Sequence, residues 1–130
     1  LVIDEEGGWP ALNFIEALVE QDDVTHITVA TNSAVLGLPD LGATGELPLF
    51  AARLKEARVT VVNNVYIASV DGRFATASDD DILGPFDSIA LSMGAAARPV
   101  PDAVHAIGDC VAPRGIWAAV QEGARLARAL

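Results

Sequence analysis

The succession of apolar runs and helical repeats in the first half of the chain most constrains the fold. Residues 1–4 form a short apolar run that ends at Asp4, and Gly7-Gly8 follows it. From Pro10 onward, apolar side chains recur at the three- and four-residue spacing of a helix, with acids between them. Residues 26–31 form a second run, rich in the β-branched side chains that favour strands. This alternation predicts parallel strands joined by right-handed helical crossovers.

The same patterns continue along the rest of the chain. We predict a loop over residues 32–46, helices at 48–57 and 116–129, and further strands at 59–63, 87–93 and 104–107. Asp71-Gly72 separates two β-prone runs, at 65–70 and 73–77, which is a strong hairpin signal. The predicted fold class is therefore α/β, a Rossmann-like mixed and mainly parallel sheet with helices on both faces and a β-hairpin insertion.

Composition excludes several classes of partner and site. The formal net charge of −10, from 8 basic and 18 acidic residues, disfavours nucleic acid and anionic membrane as partners. No apolar run approaches the roughly 20 residues that span a bilayer. Cys110 is the only cysteine, so an internal disulfide and a thiolate metal cluster are excluded, and we expect a reducing, cytoplasmic compartment. His26 and His105 lack the spacing of metal ligands, so no metal site is expected.

The turn between the first predicted strand and helix is one candidate nucleotide site. A strand, a glycine turn and a helix N-terminus form the usual cradle for a dinucleotide pyrophosphate, with Gly7 and Gly8 as candidate binding residues here. The full G-x-G-x-x-G pattern is absent. The loop also carries three carboxylates that would repel phosphate, those of Asp4, Glu5 and Glu6. The alternative is a βα turn that keeps the shape without the ligand.

A Gly-Asp pair before the last predicted helix is the other candidate site. Glycine lets a ligand approach the backbone, and Asp109 can accept hydrogen bonds from sugar hydroxyls. The helix that starts after Arg114 would offer free amides to an anion. We predict that Gly108, Asp109, Arg114 and Gly115 bind a cofactor; the alternative is that Asp109 is only a turn or N-cap residue.

This segment resembles a known family. Residues 106–117, Ala-Ile-Gly-Asp-Cys-Val-Ala-Pro-Arg-Gly-Ile-Trp, resemble the flavin-closing motif of flavoproteins with two dinucleotide domains. The longer stretch 105–119, with Gln121-Glu122-Gly123, is similar to the C-terminal region of the trimethylamine dehydrogenase and 2,4-dienoyl-CoA reductase family, which are NADH:flavin oxidoreductases like old yellow enzyme. Residues 2–11 resemble that family's inserted pyridine-nucleotide domain. Leu91-Ser92-Met93-Gly94, followed by Arg98-Pro99, lies where relatives carry Ala-Thr-Gly, which adds Gly94 to the cofactor-binding candidates.

The resemblance implies that the chain is part of a larger enzyme. Residues 1–100 would form a pyridine-nucleotide-binding-like domain, and residues 101–130 the closing strand and helix of a FAD- or ADP-binding domain. The absent part would carry a (β/α)8 barrel with FMN, a [4Fe-4S] cluster and the first flavin-binding segment. The start of the chain inside an apolar strand at Leu1 also suits a portion of a longer protein.

The resemblance further implies a flavoprotein oxidoreductase that is inactive as this portion alone, with no catalytic residue in it. The expected cofactors are FAD or ADP and NAD(P)H, and the expected partners are these nucleotides and the rest of the flavoenzyme. Thr31-Asn32 lies at the end of the second predicted strand, where an acid would bind the ribose 2′-hydroxyl of NAD and an arginine the 2′-phosphate of NADP. Neither residue type is present, so the sequence does not decide between the two nucleotides. The apolar stripe of the last predicted helix suggests a homodimer. Met93, in place of the family's threonine, and the acidic first loop depart from the pattern, and the alternative function is a degenerate domain that serves only interdomain or subunit contacts.

Overall fold

The computed structural model describes residues 1–98, 100–102 and 104–130. Pro99, which belongs to the segment compared with the family, and Ala103 lie outside the described residues. The chain divides into two compact units, Leu1–Met93 and Gly94–Leu130, and each is described by itself. Every helix in the described part of the chain is too short or too polar to span a lipid bilayer.

The first unit contains a parallel and an antiparallel sheet. In chain order its elements are β1 (Val2–Asp4), α1 (Trp9–Val19), β2 (Ile27–Thr31), α2 (Leu38–Thr44), α3 (Leu47–Glu56), β3 (Val59–Val62), β4 (Ile67–Asp71), β5 (Phe74–Ala77), β6 (Ile82–Leu83) and β7 (Ala90–Ser92). The parallel sheet has four strands in the order β3-β2-β1-β7. The antiparallel sheet has three, in the order β4-β5-β6. The predicted α/β fold with a mainly parallel sheet is therefore confirmed.

Three helices share one core with one face of the parallel sheet. Pro10 lies in the first turn of α1, where its missing amide proton leaves no hydrogen bond unmade. Strand residues at alternate positions, such as Ile27 and Val29, point to this face. The buried members of the cluster are Val2, Leu12, Ile15, Ile27, Val29, Leu36, Leu41, Phe50 and Leu54. Because complete burial of such a side chain stabilises a fold by about 1.5–3 kcal/mol, this cluster is the main source of stability in the unit.

The opposite face of the parallel sheet packs against the small antiparallel sheet. Ala30 of β2 is buried there with Val65 and Ala77. We expected helices on both faces, and in this unit the second layer is instead formed by strands β4 to β6 and the segment that leads into them. Apolar side chains on both faces of a strand can therefore be buried, which is the usual pattern of a sheet covered on both sides.

The predicted hairpin is confirmed, with its loop displaced by one residue. β4 pairs with β5 in antiparallel register, and Asp71 lies opposite Phe74. The two-residue loop is therefore Gly72-Arg73 rather than Asp71-Gly72. Gly72 has φ +58, as the first central residue of such a tight loop requires.

Two sequence-based predictions in this unit were wrong. The predicted loop at residues 32–46 contains α2, whose seven residues are too few to display a helical repeat in the sequence. The strand predicted at residues 87–93 and expected to be buried is only Ala90–Ser92, and Leu91 is 63% exposed. Among the described residues β7 pairs only with β1 and forms an edge of the sheet, so its apolar side chains are not all buried.

The second unit holds a short 3-10 turn, Gly108–Cys110, and the helix α4, Ile116–Ala129. The helix has the predicted bounds. The strand predicted at residues 104–107 is not formed, and Val104 is almost fully exposed. A strand is stable only when a neighbour satisfies its amides and carbonyls, and the described residues of this unit contain no other strand.

Arg58 occupies a backbone conformation that favours glycine. It follows α3 and precedes β3, and its φ is +48, as the abrupt change from helix to strand predicted. We expect Arg58→Gly to leave the free energy of unfolding unchanged or to raise it by up to about 1 kcal/mol, because the left-handed strain of a Cβ is removed. Urea denaturation of this variant and of Arg58→Ala, which keeps the Cβ and removes the rest of the side chain, separates the backbone strain from the loss of the side chain. A loss of stability in Arg58→Gly would contradict the strain argument.

Candidate functional site

The β1–α1 turn, the first candidate site, is organised around the buried carboxylate of Asp4. This side chain is 1% exposed. Its Oδ1 accepts the backbone amides of Gly7 at 2.9 Å and Glu6 at 3.3 Å, and its Oδ2 accepts the Thr31 hydroxyl at 3.1 Å. Thr31 is itself buried at the end of the neighbouring strand. The carboxylate therefore ties the turn to β2 and occupies the amides that a phosphate would otherwise meet.

A second carboxylate lies at the N-terminus of α1. The amide of Trp9, the first residue of this helix, donates to Oδ2 of Asp40 at 2.9 Å. Asp40 belongs to the first turn of α2 and is 31 residues away in sequence. An acceptor from another helix thus takes the amide that a bound anion or an N-cap side chain usually takes.

Gly7 is required by the geometry of the turn. Its φ is +66, and a Cβ added there would lie 2.8 Å from the Ser33 hydroxyl oxygen. Both conditions exclude a larger residue without rearrangement. The glycine predicted as a ligand-binding residue therefore has a structural role in this turn.

The Gly108-Asp109 turn, the second candidate site, is held by a carboxylate of α4. The Gly108 amide donates to Oε2 of Glu122 at 2.6 Å, and the Arg114 guanidinium pairs with the other oxygen of the same side chain. The Arg114 amide donates to Oδ1 of Asp109 at 3.1 Å. These bonds close the loop between the 3-10 turn and α4 and place Asp109 and Arg114 beside each other.

Hydrogen bonding to its charged form lowers the pKa of Glu122 below its ordinary value. The Gly108 amide makes the largest contribution, and the Arg114 guanidinium adds to it. A lowered folded-state pKa means that the contact contributes its full stability above the ordinary pKa of a glutamate. The contribution is lost as the pH falls through the lowered pKa, so Glu122 stabilises the turn fully at neutral pH.

Packing against α4 accounts for the glycine at position 108. Its φ is +70, and an added Cβ would lie 3.1 Å from the Cβ of Ala119. Gly115, at φ +82 and in open space, is the N-cap of α4 and supplies no side chain to its free amides. Gly94 opens the second unit with φ +92.

The structure groups the predicted site residues by unit. Gly7 and Gly8 lie in the first unit, whereas Gly94, Gly108, Asp109, Arg114 and Gly115 lie in the second. Asp40 and Glu122 accept hydrogen bonds from backbone amides that are far from them in sequence, and neither was among the predicted site residues. Nothing in the sequence pairs Asp40 with Trp9, while Glu122 lies in the stretch compared with the family and carried no assigned role. The described residues include no cluster of three or more histidine, cysteine or acidic side chains able to hold a metal ion.

Comparisons with known proteins identify similar folds. No protein-family model and no curated protein matches this sequence. Histamine dehydrogenase from Rhizobium sp. 4-9 matches with a TM-score of 0.76 and 18% identity, over 99% of this chain and 22% of that one. The 6-hydroxypseudooxynicotine amine oxidase of Pseudomonas geniculata N1 matches with a TM-score of 0.78 and 20% identity, over 95% of this chain and 21% of that one. A 2-naphthoyl-CoA reductase matches with a TM-score of 0.66 and 16% identity, over 94% of this chain and 20% of that one.

These neighbours confirm the resemblance predicted from the motifs. They are a dehydrogenase, an amine oxidase and a CoA reductase, and this chain matches one region of each. At this identity the likeness shows the fold alone, an α/β fold with a parallel sheet that this chain shares with these neighbours. The chain spans about one fifth of the length of these three structures.

Proposed function

We propose that this chain is the nucleotide-binding C-terminal portion of a flavin-dependent oxidoreductase of the trimethylamine dehydrogenase and 2,4-dienoyl-CoA reductase type. The observation that carries the proposal is the Gly108-Asp109 turn, which the bond from the Arg114 amide to Asp109 holds next to the start of α4. Residues 1–100 correspond in this proposal to the pyridine-nucleotide-binding-like domain, and residues 101–130 to the closing part of the FAD or ADP domain. The protein would work in a reducing, cytoplasmic compartment.

The residues of the second turn fit a nucleotide in three respects. Oδ1 of Asp109 accepts from Arg114, which leaves Oδ2 to accept a ribose or ribityl hydroxyl. The first amides of α4 follow Gly115, which has no side chain to cap them, and they can therefore donate to a phosphate. Arg114 brings a guanidinium to the same end of the helix, which can meet a phosphate when it leaves Glu122. The Gly108 amide joins this set only when Glu122 leaves it.

The remainder of such an enzyme would supply the chemistry. FMN, the [4Fe-4S] cluster and the barrel that holds the substrate would belong to that part, together with the segment that binds most of the flavin pyrophosphate. The proposed partners of this chain are therefore the nucleotide and the rest of the flavoenzyme. We propose that the isolated chain has no turnover, and dye reduction with NADH by the pure chain, above a mock preparation, would overturn this.

Nucleotide titration tests the site. We expect ADP and FAD to bind with Kd between micromolar and millimolar, about −8 to −4 kcal/mol, because most pyrophosphate contacts would be supplied by another segment. Amide shifts in NMR spectra should centre on Asp109 and the start of α4. Asp109→Ala and Arg114→Ala should each weaken binding by about tenfold, the effect of losing one charge-assisted hydrogen bond.

Arg128→Ala is the matched control, since it removes an exposed arginine from the last turn of the same helix. It should leave the affinity within about twofold, as expected of a surface change away from the ligand. Shifts centred on Gly7 and Gly8 and absent from Asp109 would show that the first turn is the site. An absence of any shift with ADP and FAD at millimolar concentration would contradict nucleotide binding by this chain.

The surface of α4 favours a second function, that of a contact domain. In the described residues no side chain of α4 is buried, and Ile116 and Trp117 are 83% and 72% exposed. Such an apolar stripe is stabilised when another surface covers it, either the rest of the enzyme or a second copy in a homodimer. Light scattering at tens of micromolar distinguishes the two, because a monomer excludes the homodimer.

A further inference from the structure

The N-terminus of α1 carries its own anion. We infer that Asp40 closes the β1–α1 turn to dinucleotide phosphates by placing its carboxylate where a pyrophosphate would lie. Asp40 and the β1–α1 turn belong to the first unit, whereas the proposed nucleotide site at Asp109 belongs to the second, so the two are independent.

The Asp40 carboxylate lies at the start of α1. Its Oδ2 lies 2.9 Å from the Trp9 amide nitrogen and 3.3 Å from the point where a Cβ of Gly8 would stand. The oxygen therefore lies over the glycine turn and accepts the first amide of the helix. In a dinucleotide fold this space belongs to the pyrophosphate, whose oxygens accept the same kind of amide.

Core packing holds the carboxylate in place. Leu41, the next residue in the chain, is 3% exposed and belongs to the main core with Leu12 of α1. Asp40 lies in the first turn of α2, so the same core contact that seats this helix directs the carboxylate to α1. The contact is thus part of the packing between the two helices rather than a chance pair of surface groups.

The other groups of the turn agree with this assignment. The Gly7 and Glu6 amides are taken by the buried Asp4, so they too are unavailable to a phosphate. The side chains of Glu5 and Glu6 add negative charge to the same loop, and like charges repel at short range. The residues present therefore do not fit a pyridine nucleotide at this turn.

The experiment combines ligand titration with hydrogen exchange of the full 130-residue chain. NADH, NADPH and inorganic pyrophosphate, each to 10 mM, should not shift the Trp9 amide signal of the unmodified chain. In Asp40→Ala the Trp9 amide should exchange about fivefold faster or more, because loss of a helix cap costs about 1 kcal/mol. Asp40→Asn should stay within about twofold of the unmodified chain, since its amide oxygen still accepts.

Asp22→Ala serves as the control, because it removes an exposed acid from the turn after α1 and lies away from Trp9. It should leave the exchange rate of Trp9 unchanged. Unchanged exchange in Asp40→Ala would overturn the assignment of the cap. A shift of the Trp9 signal with NADH, NADPH or pyrophosphate in the unmodified chain would overturn the closure. Neither result affects the shifts at Asp109 that test the proposed function, so the two proposals can fail separately.

Discussion

Replacing Asp4 with alanine is expected to lower the free energy of unfolding of the first unit by about 2–4 kcal/mol. The carboxylate is 1% exposed and accepts three hydrogen bonds, from Thr31, Gly7 and Glu6. Its removal leaves the Thr31 hydroxyl and the Gly7 amide without their acceptor in the interior, and an unmade buried hydrogen bond costs more than a made one contributes. Urea denaturation followed by circular dichroism measures the loss.

Two further variants define this effect. Asp4→Asn keeps an oxygen for the Gly7 amide, and the Thr31 hydroxyl can accept from the new amide group, so we expect a loss of about half the size. Asp22→Ala removes a carboxylate from an exposed turn and should change stability by less than about 0.5 kcal/mol. A loss in Asp4→Ala as small as that of Asp22→Ala would show that water replaces the carboxylate.

Gly7→Val is expected to cost about 2–4 kcal/mol, from two separate causes. The backbone at Gly7 has φ +66, which a β-branched residue adopts only with strain, and the new Cβ would lie 2.8 Å from the Ser33 hydroxyl oxygen. Because the turn is fastened by Asp4 on one side, it cannot easily shift to relieve the contact. Thermal or urea unfolding of the variant measures the sum of both terms.

Gly45 supplies a matched control for the backbone term. Its φ is +78, and a Cβ there would have no neighbour within 4 Å. Gly45→Val should therefore cost only the backbone strain, about 1–2 kcal/mol. Ser33→Ala in the Gly7→Val background removes the clashing oxygen and should recover part of the loss. If the Gly7 and Gly45 variants are equally destabilised, the contact with Ser33 has no energetic role.

Asp4 and Gly7 belong to a turn that has the form of a dinucleotide cradle and is filled by the protein's own side chains. Asp4 supports the fold and Asp40 caps α1, so the same acids that stabilise the turn exclude a phosphate from it. In the second unit Glu122 makes a comparable bond to Gly108, but among the described residues no side chain caps the first amides of α4. This difference is the physical basis for proposing the nucleotide site at Asp109 rather than at Gly7.

Features encoded by neighbouring residues could be predicted from the sequence. The β1–α1–β2 succession, the hairpin and the bounds of α4 depend on apolar periodicity and turn residues within a few positions of each other, and the structure agrees with them. The left-handed conformation of Arg58 followed in the same way, from a helix that changes to a strand within two residues. The motifs that pointed to the flavoenzyme family are also continuous segments.

Features that depend on distant partners required the tertiary structure. The predicted strand at residues 104–107 failed because an apolar run becomes a strand only beside another strand. The exposure of Leu91 depends on β7 lying at an edge of the sheet. The bonds of Asp40 and Glu122 join residues 31 and 14 positions apart, and no local pattern encodes them. Local periodicity determined the elements of this protein, whereas the packing between elements decided which backbone amides are free to meet a ligand.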